Sequence, residues 1–510
     1  ERSLSFGSRT GSIRARNAIP EAMDKLRSWC SSPAAPMASS PCRGSEEVDE
    51  VVSAGWVIPV DTDAVLADHS VAIRGGKIVG VLPTADAIAK YKTNNYTSLP
   101  NSALMPGFVN THNHSPMVYL RGVSDDVNLR DWLEKTIWPL EFKFCGPEFV
   151  RDGCELAVAE MIMGGTTTFN DMYWFPESVC EVVKSSGIRA AVGIIAIEFP
   201  FGSYGTGPDD YLEKGQKTRE LFAGESRISW TVSLHAPYTC SDATLAKGKE
   251  LSDKLNVPLH IHLHETQAEV EDSITQTASM SKHMSEEKCS PLKNMKRLGM
   301  VNERLVAVHM NWLTDEEISD LAQAKSNVVH CPASGLKLGS GMCRTADLLQ
   351  AGVNVALGTD GASSNNTLDM MAEMRLAALL AKGVKKDSTV APAMVALRMA
   401  TLSGAKALGI DSVTGSLSVG KEADMISVDF GSPSAWPAPT VTDSAKGFDA
   451  VTHIVYASTR DQVSNVWVQG KCLMKDRKLL CMQVDELWRK AQEWGAKITE
   501  AKTGMASPPS

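Results

Sequence analysis

Histidine is unevenly placed in this sequence. Three His-x-His pairs occur, His112 with His114, His260 with His262 and His262 with His264; at about 2% histidine, chance would supply about 0.2 of them. Eight of the eleven histidines fall in short apolar runs, most of them near the C-terminal end. His112 and His114 close LMPGFVNTHNH, His235 lies in ISWTVSLHAPYT, His262 and Glu265 in VPLHIHLHE, His309 in LVAVHMNWL and His330 in NVVHCPAS, while Asp360 lies near the end of NVALGTDGA. A lone histidine of this kind is usually a satisfied core residue. The same placement repeated on run after run points to one shared site.

That site reads as a metal centre. Residues i and i+2 of a strand face the same way, so His112 and His114 can bind one ion from one strand end. His262 and Asp360 would complete a set of three imidazoles and a carboxylate, leaving a position for water, which is a catalytic rather than a closed structural arrangement. Zn²⁺ suits these ligands, and Fe²⁺ or Mn²⁺ would suit them too. A single ion is expected, because the third and fourth runs offer no bridging carboxylate or lysine. Glu265, three positions beyond His262, is the expected general acid/base, able to carry protons between a metal-activated water and a substrate nitrogen. His309 is expected to orient water or shuttle protons. His330 is read as serving a substrate loop or supporting the site, and His260 and His264 are placed outside it.

Eight apolar runs must carry these groups: the six just named, with GTTTFNDM and IRAAVGIIAI. Between them lie helical patterns such as PEFVRDGCELAVAEMIMGG, DEEISDLAQAK and TADLLQAG. Eight strand–helix units in about 300 residues match a (β/α)₈ barrel, which carries its chemistry at the C-terminal ends of its strands. No GxGxxG or GxxxxGK loop follows the first run, which disfavours a doubly wound nucleotide fold. Short alternating runs before the barrel (GWVIPV, SVAIRGGKIVGV) and after it (ADMISVDF, VSNVWVQGKCLM) predict a small β-sandwich domain built from both flanks. The expected organisation is a Ser/Arg-rich disordered leader over 1–45, sandwich segments at 46–103 and 416–485, the barrel at 104–415, and a C-terminal helix and tail at 486–510.

Composition narrows the partners. A net charge of −9 with no Lys/Arg run argues against nucleic acid, and no eighteen-residue apolar stretch exists to span a membrane. Eleven cysteines without a CxxC pair suit a reducing compartment. A cytoplasmic location is expected, or an organelle if the leader is a transit peptide.

Seven ordered motifs, MPGFVNTHNH, RGVSDDVNLRDWLEKTIWPLE, GGTTTFNDMYWFPE, LHAPYTCSD, HIHLHET, HCPASGLKLGSG and ALGTDGASSNNTLDMMAEMR, resemble the amidohydrolase superfamily. The similarity is to its triazine-hydrolase-like branch, which includes 5′-methylthioadenosine/S-adenosylhomocysteine deaminases, and it spans about residues 50–480. The resemblance implies zinc on His112, His114, His262 and Asp360, with Glu265 as the acid/base residue that also touches substrate. It further implies that Glu141 binds ribose hydroxyls, that His235 and Asp360 contact the nucleoside, that Asp360 takes the water proton and that His309 stabilises developing charge. Trp132 would cover the substrate or anchor the insertion after the first strand. The implied reaction is hydrolytic deamination of an adenine nucleoside by a homo-oligomeric enzyme. A triazine, guanine-like or pterin ring is the alternative substrate class, and a non-catalytic scaffold the alternative role. The stretch 198–212 lacks arginine, which favours a neutral methylthio tail over the amino-acid tail of S-adenosylhomocysteine.

Overall fold

The computed structural model describes residues 41–504, apart from 203, 278–284, 286 and 440–446. All eight apolar runs form strands: β1 (Phe108–Asn113), β2 (Thr166–Asp171), β3 (Arg189–Ala196), β4 (Ile228–Leu234), β5 (Leu259–Leu263), β6 (Leu305–His309), β7 (Asn327–His330) and β8 (Asn354–Leu357). Each pairs in parallel with the next. Their side chains are buried on both faces, as in Arg189–Ala196 where every residue is buried. That double burial is why they read as continuous apolar runs rather than alternating ones. Helices including Pro147–Met163, Pro176–Ser186, Pro208–Leu221, Asp242–Leu255 and Asp315–Gln323 make the crossovers. The last of these starts at a capping box between Thr314 and Glu317.

The continuation of β8 closes the ring against β1. The Asp360 N–H donates to the His112 carbonyl at 3.1 Å, and the Thr359 N–H donates to Asn110 Oδ1 at 3.0 Å. A Cβ at Gly358 would sit 2.8 Å from the His112 backbone nitrogen, so the close approach of the two strands requires glycine there. The architecture is therefore the expected (β/α)₈ barrel.

The flanks share a second sheet of eight strands. Tyr96–Pro106, from the N-terminal flank, pairs antiparallel with Met425–Asp429, from the C-terminal flank, and the order runs outward from this pair on both sides. The sheet curls over itself: a Cβ on Gly470, in a turn near one margin, would lie 3.0 Å from the Gly76 Cα in a turn at the other. Val71, Ile78, Leu104, Met425 and Trp467 consequently share one small core. Buried Arg189, at the start of β3, joins sheet to barrel with a two-pronged pair to Asp424 (2.7 and 3.2 Å).

Up to residue 40 the expected leader lies outside the described residues. Its last part is ordered, which corrects that expectation: Cys42 is buried and the Gly44 N–H donates to the Tyr91 carbonyl at 2.7 Å. Composition alone hid this edge, because the segment is held by partners some fifty residues on. The C-terminal helix, Val484–Thr503, packs on Pro147–Met163, with the Trp494 indole and the Lys490 ammonium both donating to Asp152. No helix among the described residues is long and apolar enough to cross a membrane.

Candidate metal centre and substrate cavity

The four side chains singled out from sequence meet at the C-terminal mouth of the barrel. His112 lies within β1 and His114 one residue past its end; His262 is on β5, and Asp360 follows β8 with φ +60°. The Nε2 atoms of His112 and His114 lie 3.2 and 3.3 Å from His262 Nε2, and 3.2 and 3.3 Å from Asp360 Oδ1. All four ligand atoms fall within 4.8 Å of one another. Four ligands at about 2.0–2.1 Å from a common ion stand about 3.3–3.4 Å apart in a tetrahedron. Four edges of this cluster have that length, so the residues fit a divalent ion of zinc's size.

Each ring is turned by its other nitrogen. His114 Nδ1 meets the Met172 carbonyl at 2.7 Å, His262 Nδ1 the His235 carbonyl at 2.6 Å, and His112 Nδ1 the His260 Nε2 at 3.1 Å. Bonds of this kind set the tautomer and aim Nε2 at the centre. Burial lowers His262 well below the usual histidine range and favours the neutral, metal-binding form. Asp360 receives Ser334 Oγ and Ser364 Oγ on Oδ2 (2.6 and 2.9 Å) and the Gly361 N–H on Oδ1 (2.8 Å). Its left-handed backbone, like that of His309 at φ +75°, is a strained conformation held by the packed barrel rim.

Glu265 lies beside the cluster and is buried. Burial, with the charges of Asp360 and Glu269 behind it, raises its carboxyl well above the ordinary range and favours the protonated acid. Its backbone N–H and that of His264 are held by the Glu269 carboxylate at 2.8 and 3.0 Å. His309 Nε2 stands 3.8 Å from Glu265 Oε1, and burial lowers the His309 imidazole to about 3.

A cavity with about 800 Å³ of empty space, counting its open mouth, lies over this cluster. His114, His262, Asp360, Glu265 and His309 form its floor, and His235 and Glu141 also line it. Trp132 is buried and lines it as well, so its ring both fills the insertion and walls the chamber. The rest of the wall is apolar, part aliphatic (Leu129, Leu133, Ile195, Ile197) and part aromatic: Phe201 from the arginine-free stretch stacks on Trp174 at 4.1 Å and lies 4.8 Å from Phe142. No lysine or arginine is among the lining residues.

Several participants escaped sequence reasoning. His260 was expected to stand apart from the site, yet it props the ring of His112 from below; it shares strand parity with His262, which was the available signal. Tyr173, whose hydroxyl donates to Glu141 Oε1 at 2.6 Å, and the two serines on Asp360 had no distinguishing pattern. His264 does remain outside, its ring joining the Trp312 carbonyl and the Leu292 N–H (2.7 and 3.0 Å). His330 is buried at the end of β7 and is not among the cavity's lining residues.

Comparison with known proteins gives the family and the fold. Residues 103–473 match the amidohydrolase family. A 5-methylthioadenosine/S-adenosylhomocysteine deaminase of Teredinibacter turnerae is 40% identical over 452 residues, covering 88% of this chain and 98% of that one. The crystal structure of a zinc-bound adenosine deaminase from Xanthomonas campestris is 43% identical with a TM-score of 0.84, covering 89% and 99%. At 21% identity and a TM-score of 0.75, atrazine chlorohydrolase from Arthrobacter aurescens shares the fold over 88% of this chain and 100% of its own.

Proposed function

The chain belongs to the amidohydrolase family, and from that premise we propose that it is a metal-dependent deaminase that converts an adenine nucleoside, 5′-methylthioadenosine foremost, to the 6-oxopurine nucleoside and ammonia. The observation that carries this reading is the sharing of one cavity by the His/Asp cluster, Glu265 and Glu141. His112, His114, His262 and Asp360 would hold the ion, with zinc the metal best matched to their spacing and to the bound ion of the Xanthomonas relative. When bound, such an ion lowers the pKa of a water to about 7 and polarises the reacting centre.

The residues of the chain supply the rest. Glu265, protonated in its buried position, gives a proton to a ring nitrogen, which makes C6 electrophilic. Asp360 takes the proton that water gives up on adding to C6. His309, kept neutral by burial, donates a hydrogen bond to the oxygen gained there. Asp360 then passes that proton to the amine, the C6–N bond breaks to release ammonia, and the proton lost as the C6 hydroxyl becomes the 6-oxo group returns to Glu265. Glu141 accepts hydrogen bonds from the ribose hydroxyls, and His235 contacts the nucleoside.

Tail selectivity follows from the wall. An amino-acid tail brings a carboxylate and an ammonium that must be paired when buried, and no lysine or arginine is among the described residues lining the cavity to meet the first. A panel of 5′-methylthioadenosine, adenosine, S-adenosylhomocysteine, guanine and an s-triazine, followed by ammonia release, tests the whole reading. The expected order of kcat/KM puts 5′-methylthioadenosine at least about tenfold above S-adenosylhomocysteine, the effect of roughly 1.4 kcal/mol of unpaired charge. Release from guanine or the triazine alone would overturn the nucleoside assignment.

Glu141 adds a pH signature. Burial pushes its carboxyl up to about 7, against the pull of the Tyr173 hydroxyl and of His114. Hydroxyl donors need the ionised form, so KM for a ribonucleoside should fall as pH rises through about 7. The limb should vanish in Glu141→Gln; its persistence there would assign it to another group.

A further inference from the structure

Glu141 is carried by the short helix Trp138–Phe144 of the insertion rather than by a barrel strand. Its distance from the metal centre therefore depends on what ties that insertion to the rim. Among the described residues its carboxylate has one hydrogen bond, from the Tyr173 hydroxyl to Oε1 at 2.6 Å. Tyr173 is 3% exposed and follows β2 by two residues. Burial and the charge of Glu141 push its phenol well above the usual range, so it stays a donor.

The two residues before Tyr173 hold the metal side. The Met172 carbonyl meets His114 Nδ1 at 2.7 Å, and Asp171 Oδ1 accepts the Ser115 N–H at 2.7 Å. Three consecutive residues thus grip a ligand ring, the start of the insertion and the Glu141 carboxylate from one piece of backbone.

We propose that Tyr173 is a positioning residue for the sugar, fixing the Glu141 carboxylate at a set distance from the metal centre so that its other oxygen meets the ribose hydroxyls. This rests on the reading of Glu141 as the ribose-binding group. A carboxylate held by one phenol keeps its plane and its reach, and binding energy from the sugar can then orient C6 over the reactive groups. Without the phenol the helix stays packed through buried Ile137 and Leu140, but the Glu141 carboxylate is free to turn away from the hydroxyls.

The test compares adenosine with 2′,3′-dideoxyadenosine, which has no hydroxyls to bind, on the metal-loaded full chain. In Tyr173→Phe the ratio of kcat/KM for adenosine to that for dideoxyadenosine should fall about tenfold, the size expected for loss of a hydrogen bond to a charged group. Metal content should match the wild type, which shows that the barrel is intact. Placed on Glu141→Gln, the same substitution should change the ratio no further. Equal losses on both nucleosides, or an unchanged ratio, would overturn the positioning role and leave the Glu141 reading standing. A wild-type enzyme that treats the two nucleosides alike would overturn both.

Discussion

Glu265→Gln is expected to lower kcat/KM for 5′-methylthioadenosine by about 10³-fold, within the range of about 10²–10⁴ typical for loss of a positioned acid/base, while the bound metal per chain stays at the wild-type value. The amide keeps the shape and much of the hydrogen bonding of the carboxyl but cannot give up and regain a proton. The structure makes this a clean substitution. The Glu265 backbone is held through Glu269 rather than through its own side chain, and Glu265 is not part of the His/Asp cluster. Turnover by ammonia release and metal by elemental analysis check it together. A variant that kept full activity would remove Glu265 from its role, and one that lost the metal would make it a support for the cluster instead.

Asp360→Ala should go further and remove both stoichiometric metal and measurable turnover. Loss of the ion's charge stabilisation is worth several kcal/mol, or about four decades of rate. Asp360 also contributes the one carboxylate of the cluster, and Ser334, Ser364 and the Gly361 N–H would lose their shared acceptor. Ser364→Ala is the milder comparison: it leaves the carboxylate present but less firmly oriented, and weakening of metal affinity by about 10–100-fold is the usual result of losing such a partner. If Asp360→Ala retained one equivalent of metal with unchanged affinity, the centre would have to lie elsewhere.

The two substitutions probe residues that differ in how they were found. His112, His114, His262, Asp360 and Glu265 were legible because each sits at the end of an apolar run, and the end of a strand is a property of the local chain. Glu141 had no such mark. It lies in IWPLE on an insertion helix, and family resemblance alone gave it a role before the structure showed it lining the same cavity as the His/Asp cluster. Tyr173 was less visible still, being one aromatic among several in NDMYWFPE. Its hydroxyl counts only because the fold brings it to 2.6 Å from a carboxylate thirty-two positions earlier in the chain.

His260 marks the boundary between the two kinds of information. Strand parity gave it the same face as His262, but parity says nothing of depth along the barrel axis. The closed ring puts His260 one layer below the ion site, against the back of His112, and its neighbour of equal parity at the mouth. The leader shows the same limit at the other end: Ser/Arg-rich composition could not reveal that Cys42 and Gly44 are gathered in by strands beyond residue 70.

By itself, then, the sequence determined the eight strands, their common direction and the identity of the groups at their ends, since these follow from burial on two faces and from a side-chain period of two. Tertiary packing alone sets which of those groups meet in the four-residue cluster, which lie beneath it and which line the cavity above it. Those are separations across chain distances of about 150 to 250 residues, set by where the β8 continuation closes on His112 and Asn110 and by how the insertion folds back over the rim.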